Sequence, residues 1–186
     1  MKESRLARRV SIILVVILSA LGGMASSQEV YVATLTSPKG LGLKKTAELT
    51  LTIADRSTEE DRARLLQVFE EKGSEGFVGE LRKLEQGVAK ITGGPSSRIN
   101  YVMVRPGQNG SSVVILTESP LYFPEDGPPS TTGSSVGLIR LEVNASGQGR
   151  GTMAEAQKLR ITQEGTFEVE ASRVDPIDLE DVRRER

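Results

Sequence analysis

The chain contains neither histidine nor cysteine, so any chemistry it performs falls to carboxylates, hydroxyls and basic side chains. Without imidazole or thiolate it has no ordinary zinc, copper or haem site, and no side chain that titrates near neutral pH unless perturbed. Most familiar hydrolase mechanisms are removed with them. Gly133-Ser134-Ser135-Val136-Gly137 fits the G-x-S-x-G pattern of a nucleophile elbow. That elbow needs a strand before it, a helix after it and a histidine base. Here a loop precedes, a predicted strand follows, and the base is missing. Gly147-Gln148-Gly149-Arg150-Gly151 imitates a phosphate-binding run. It lies between two predicted strands, with no helix N-terminus to hold an anion, and reads as a hairpin turn.

Paired carboxylates are the catalytic route that composition leaves open, because two acids can serve as acid and base, or as nucleophile, without histidine. Glu168 and Glu170 fall on one face of a predicted strand, about 7 Å apart. An exposed strand face explains them equally well. The acidic tail with Asp175, Asp178, Glu180 and Asp181 lacks the ligand spacing and glycine of a calcium loop, and reads as a solvated terminus. The acidic run from Asp55 to Asp61 reads as helix-start electrostatics. No catalytic or metal-ligating residue is assigned, and no cofactor is expected. The binding candidates are Leu121, Tyr122 and Phe123, set in the irregular Pro- and Gly-rich stretch from Ser119 to Ser134, because loops of this length often carry function. A surface excursion with its aromatics tucked into the core is the competing reading. Asn109-Gly110-Ser111 and Asn144-Ala145-Ser146 match glycosylation sequons, expected to go unmodified in a bacterial chain.

The elements that must position these residues are mostly strands. Short runs of Val, Ile, Leu and Thr alternate with polar residues and are bounded by Gly, Pro, Ser and Asn, which predicts strands over 29–36, 46–54, 88–92, 98–105, 111–118, 135–143, 150–162 and 166–172. The tail 176–182 adds a last one. Ser57-Thr58-Glu59-Glu60 reads as a capping box with Ser57 as the cap. Leu65, Leu66 and Phe69 then share a helical face, Gly73 supplies a stop, and Phe77, Leu81 and Leu84 mark a second helix. In the strands around the PGQNG turn both faces are apolar: Val113 and Ile115 alternate with Val114 and Leu116, and Ile99, Tyr101 and Met103 with Val102 and Val104. A sheet buried on both faces needs a cover, and the helical hairpin is the amphipathic element available. The expected fold is therefore α+β: a predominantly antiparallel sheet of about seven to nine strands, curled towards a barrel, with a helical hairpin packed on one face.

The N-terminus reads as an export signal. Lys2, Arg5, Arg8 and Arg9 precede an apolar run from Val10 to Leu21, and small residues follow at Gly23-Met24-Ala25-Ser26-Ser27. The run is shorter than the ~20 residues of a spanning helix, so cleavage is the better reading and a retained anchor the other. Contact with a membrane is then limited to that segment if it is uncleaved. Residues 1–25 carry four of the 24 Lys and Arg and one of the 25 Asp and Glu, leaving 20 basic against 24 acidic side chains, a net of −4. That balance argues against nucleic acid as a partner. Residues 26–186 are one domain's length, stabilised without disulfides. Ordinary Sec export would place the domain in the periplasm or outside the cell.

The helix pair STEEDRARLLQVFEEKGSEGFVGELRKLEQG, the stretch SSVGLIRLEVNASGQGRGTMAEAQKLRI and the closing VDPIDLEDVR resemble, over roughly residues 45–186, a group of uncharacterised exported bacterial proteins of acidobacterial type. The resemblance implies a shared domain and a bacterial source, and brings no catalytic or binding residue with it. The functional expectation is a non-catalytic module that binds a small or apolar ligand or an envelope protein. A carboxylate-dependent hydrolase of extracellular or cell-wall polymers and a structural or assembly protein of the envelope are the two alternatives.

Overall fold

The computed structural model describes residues 28–37, 45–126, 136–161, 167–171 and 176–185. The export segment, most of the SPKGLGLKK loop, the elbow-like Gly133, Ser134 and Ser135, Asp175 and the side chains of Glu168 and Glu170 lie outside the described residues.

The alternating runs form nine strands: β1 (Glu29–Thr36), β2 (Thr46–Ile53), β3 (Gly87–Ile91), β4 (Ser96–Gly107), β5 (Gly110–Thr117), β6 (Val136–Asn144), β7 (Gln148–Ile161), β8 (Phe167–Ala171) and β9 (Ile177–Glu185). They pair antiparallel in the order β6-β5-β4-β3-β2-β1-β9-β7-β8, and β6 also pairs with β7. Eight strands thereby close a barrel, which removes their free edges. Strand β8 stands outside the closure, paired with the segment of β7 from Ala156 to Ile161. The closing strand is the C-terminal tail: β9 inserts between β1 and β7.

An eight-stranded barrel has an interior just wide enough for side chains to fill it or to hold one small ligand. Here side chains fill most of it. Inward positions on successive strands place Ala33, Leu35, Leu49, Leu51, Ile91, Ile115, Ile139, Leu141, Met153 and Leu179 in one buried cluster. Outward positions on β4 to β7 form a second cluster, in which Tyr101, Leu116, Val136, Leu138 and Ala156 pack under Leu65, Phe77, Val78 and Leu81 of α1 (Glu59–Leu81). The two-faced apolar strands have their cover.

Gly73, at φ 66° and ψ −160°, breaks α1 into the helical hairpin that the sequence predicts. Arg64 Nε and Glu80 Oε1 lie 3.2 Å apart, whereas a straight helix would hold them roughly 24 Å apart at 1.5 Å per residue. The Phe69 and Phe77 rings meet edge to face at 6.2 Å across the bend.

Two local readings are corrected. The helix cap is Thr58 rather than Ser57: Thr58 Oγ1 accepts from Asp61 N, and Asp61 Oδ2 accepts from Thr58 N. Ser57 instead ties the helix entry to the barrel, because its Oγ accepts from Val102 N and its N–H donates to Val102 O. Ile99 and Tyr101 do not share a face. The β4–β5 register shifts between them, and such a bulge inverts the alternation beyond it. Ile99 consequently points into the barrel and Tyr101 under the helices. Asn100, fully buried at the shift, donates its Nδ2 to Leu84 O at 2.7 Å.

Candidate binding site at the open end of the barrel

The two ends of the barrel differ. At the end where β5 leaves and β6 enters, the described part of the stretch after Ser119, as far as Asp126, lies against the opening. Leu121 and Phe123 are buried in the barrel's interior cluster, and Tyr122 is half-buried beside them. Hydrogen bonds pin this stretch to the rim. Ser119 N donates to Ser97 Oγ at 3.0 Å, Thr117 Oγ1 donates to Ser119 O at 2.8 Å, and Lys45 pairs with Asp126. Leu121 and Phe123 therefore act as a plug, in a loop whose aromatic turns inward.

Among the described residues the opposite end is open. Around it stand the start of β1, the end of β9, the β4–β5 and β6–β7 turns, and the connection from β2 to α1. They enclose a cavity of about 900 Å³. Along β1 the inward positions run Leu35, Ala33, Tyr31, Glu29, so the alternation that places apolar side chains deep in the barrel places a carboxylate at its mouth. Glu29 has a side chain only 9% exposed. A buried carboxylate needs partners, and Glu29 has three: Tyr31 donates its hydroxyl to Oε2 at 3.1 Å, Arg56 pairs with Oε1, and Arg184 Nη2 lies 3.5 Å from Oε2. Burial pushes the Tyr31 phenol pKa up, and the charge and hydrogen bond of Glu29 add to that.

Arg184 reaches the mouth because of a bulge. Between Val32 and Thr34 the β1–β9 register shifts, with Asp181 at φ 50°. Counting by twos from the inward Leu179 would turn Arg183 inward. The bulge turns Val182 and Arg184 inward instead, and Arg184 becomes the cross-strand neighbour of Tyr31. The rest of the acidic tail behaves as a solvated face: Asp178, Glu180 and Asp181 are exposed, and Glu180 accepts from Thr36 Oγ1.

The glycine-rich run is mostly strand, which corrects its reading as a hairpin turn: only Gly147 belongs to the β6–β7 turn, while Gln148, Gly149, Arg150 and Gly151 begin β7, the last three paired with β6. Asn144 Oδ1 accepts from Ser146 N and Gln148 N, both at 3.0 Å. Gly147 sits at φ 80°, and a Cβ there would come within 2.7 Å of Arg184 Cβ. The turn thus leaves room for the arginine. Sequence reasoning missed Glu29, Tyr31, Arg56 and Arg184 as a group. One signal was available in Glu29, a charged residue in phase with the buried face of its strand. The β9 bulge left no such trace.

Among the described residues no His, Cys, Asp or Glu cluster is placed to hold a metal ion, and no helix is long and apolar enough to cross a membrane. The chain matches no protein-family model, no curated protein and no solved structure in the comparisons made with them.

Proposed function

We propose that the protein is an exported, non-catalytic binding module of a bacterial envelope, and that its ligand seats in the open mouth of the barrel. The observation that carries this reading is the contrast between the ends: one is plugged by Leu121 and Phe123, the other opens on a cavity of about 900 Å³ lined by Tyr31, Arg56 and Arg184, the three partners of the buried carboxylate Glu29. Ligand sites are of this size, and barrel mouths are among their usual places. The Leu121–Phe123 segment supports the site by sealing the far end rather than by touching the ligand. Export rests on the basic, apolar and small-residue succession at the N-terminus.

The two alternatives draw less support. A hydrolase of the two-carboxylate type needs an acid free to exchange a proton, and the oxygens of Glu29 are held by Tyr31, Arg56 and Arg184. An assembly role through an apolar face finds no patch, since Val88 is the one exposed large hydrophobic side chain among the described residues.

The test is to express the whole gene in an exporting bacterial host and record the mass of the periplasmic protein under native and then denaturing conditions. The expected results are a chain beginning near Ser26 and an extra mass lost on denaturation. A bare mass that stays bare after incubation with envelope extract would overturn the binding reading, and retention of the protein in the cytoplasm would overturn export.

A further inference from the structure

We propose that the ligand of the mouth carries an anionic group, a carboxylate or a phosphate, held between the guanidiniums of Arg56 and Arg184. The inference rests on the binding reading above and specifies its chemistry.

Charge and geometry along the lining of the cavity lead to it. Two arginines from separate elements, the β2–α1 connection and β9, converge on a single carboxylate. One negative charge thus faces two positive ones. Glu29 is nearly enclosed, whereas the Arg56 and Arg184 side chains remain 49% and 44% exposed, and both line the cavity. Each guanidinium offers five N–H donors in a fixed fork, and one carboxylate with roughly four lone-pair sites cannot use ten of them. The remaining donors belong to half-exposed side chains that line the cavity, and the fork geometry of a guanidinium suits carboxylates and phosphates. The other ionisable side chains of the lining are Tyr31, whose hydroxyl is given to Glu29, and Glu185, exposed at the strand end. Asn109, Ser111, Asn144 and Ser146 add neutral polar groups for the remainder of a ligand.

Glu29 then has a defined part. It is the resident counter-ion, which keeps the two arginines oriented and competes with the incoming anion. Removing its charge should strengthen anion binding, whereas loss of a merely structural carboxylate would weaken it.

The probe is inorganic phosphate, titrated into the full chain at constant ionic strength against sodium chloride, with the arginine Nε–H resonances as readout. Saturable shifts at Arg56 and Arg184 are expected, with binding tightened roughly tenfold in Glu29→Gln and weakened roughly tenfold in Arg184→Gln and in Arg56→Gln. Gln at position 29 keeps an acceptor for Tyr31. If Glu29→Gln does not fold, the two half-exposed arginines decide the matter. Phosphate shifts no larger than those from chloride, or affinities unchanged in both arginine variants, would overturn the inference. So would weaker phosphate binding in a folded Glu29→Gln protein. A neutral sugar, glucose, titrated in parallel separates the two levels. Shifts at the mouth with glucose but not with phosphate would leave the binding reading standing and remove the anionic ligand.

Discussion

Tyr31 and Tyr101 are two of the chain's three tyrosines, and both phenols are buried, one at the mouth and one beneath the helices. Burial raises both pKa values, that of Tyr101 from 10.0 to about 12. The sign follows from linkage. A phenol kept neutral in the folded state favours folding fully below the unfolded pKa, and that contribution is lost as pH climbs towards the folded one. Stability should therefore fall between about pH 10 and pH 12. Urea midpoints measured across that window should decline in the wild type and decline less steeply in Tyr101→Phe. An equal decline in both would show that Tyr101 titrates as an exposed phenol. At this scale the sequence was legible wherever alternation ran unbroken, as in Glu29 to Leu35. It misled at Asn100, and it carried no sign of the shift at Asp181; at both, one inserted residue inverts the side chains beyond it.

Among the elements, the helical hairpin depends on two different kinds of residue. Phe77 and Leu65 are fully buried against the outer faces of β4 to β7, so Phe77→Ala should cost about 3–5 kcal/mol in urea unfolding. Thr58→Ala removes only the cap and should cost about 0.5–2 kcal/mol. Equal losses would mean that the helices are held by their cap rather than by packing. The hairpin was readable from the sequence because Gly73 and the three-to-four spacing of apolar residues are local signals. The capping box was readable only to within one residue. Ser57 and Thr58 are both good caps, and the choice between them is made by Val102, which lies 45 positions along the chain and takes Ser57 for itself.

For the whole molecule, the decisive contacts are the ones that sequence patterns do not show. Two-faced apolar strands announced a covered sheet, and the tail announced a further strand. Closure depends on β9 pairing with β1 on one side and β7 on the other, a choice of partners that alternation leaves open. The mouth exists only because of that closure, which brings Arg184 beside Glu29 and Gly147 beside Arg184. The Leu121–Phe123 stretch looked like a binding loop for the same reason that it makes a plug: it is a long loop carrying large apolar side chains. The most direct test is a backbone amide NMR spectrum of the full chain, recorded with and without a panel of small organic solutes, anionic and neutral. Perturbations are expected to gather on Tyr31, Arg56, Ser111, Asn144 and Arg184 and to leave Leu121 and Phe123 unmoved. Perturbations centred on Leu121 to Phe123 or on the helical hairpin, with the mouth silent, would contradict the assignment of the open end as the binding site.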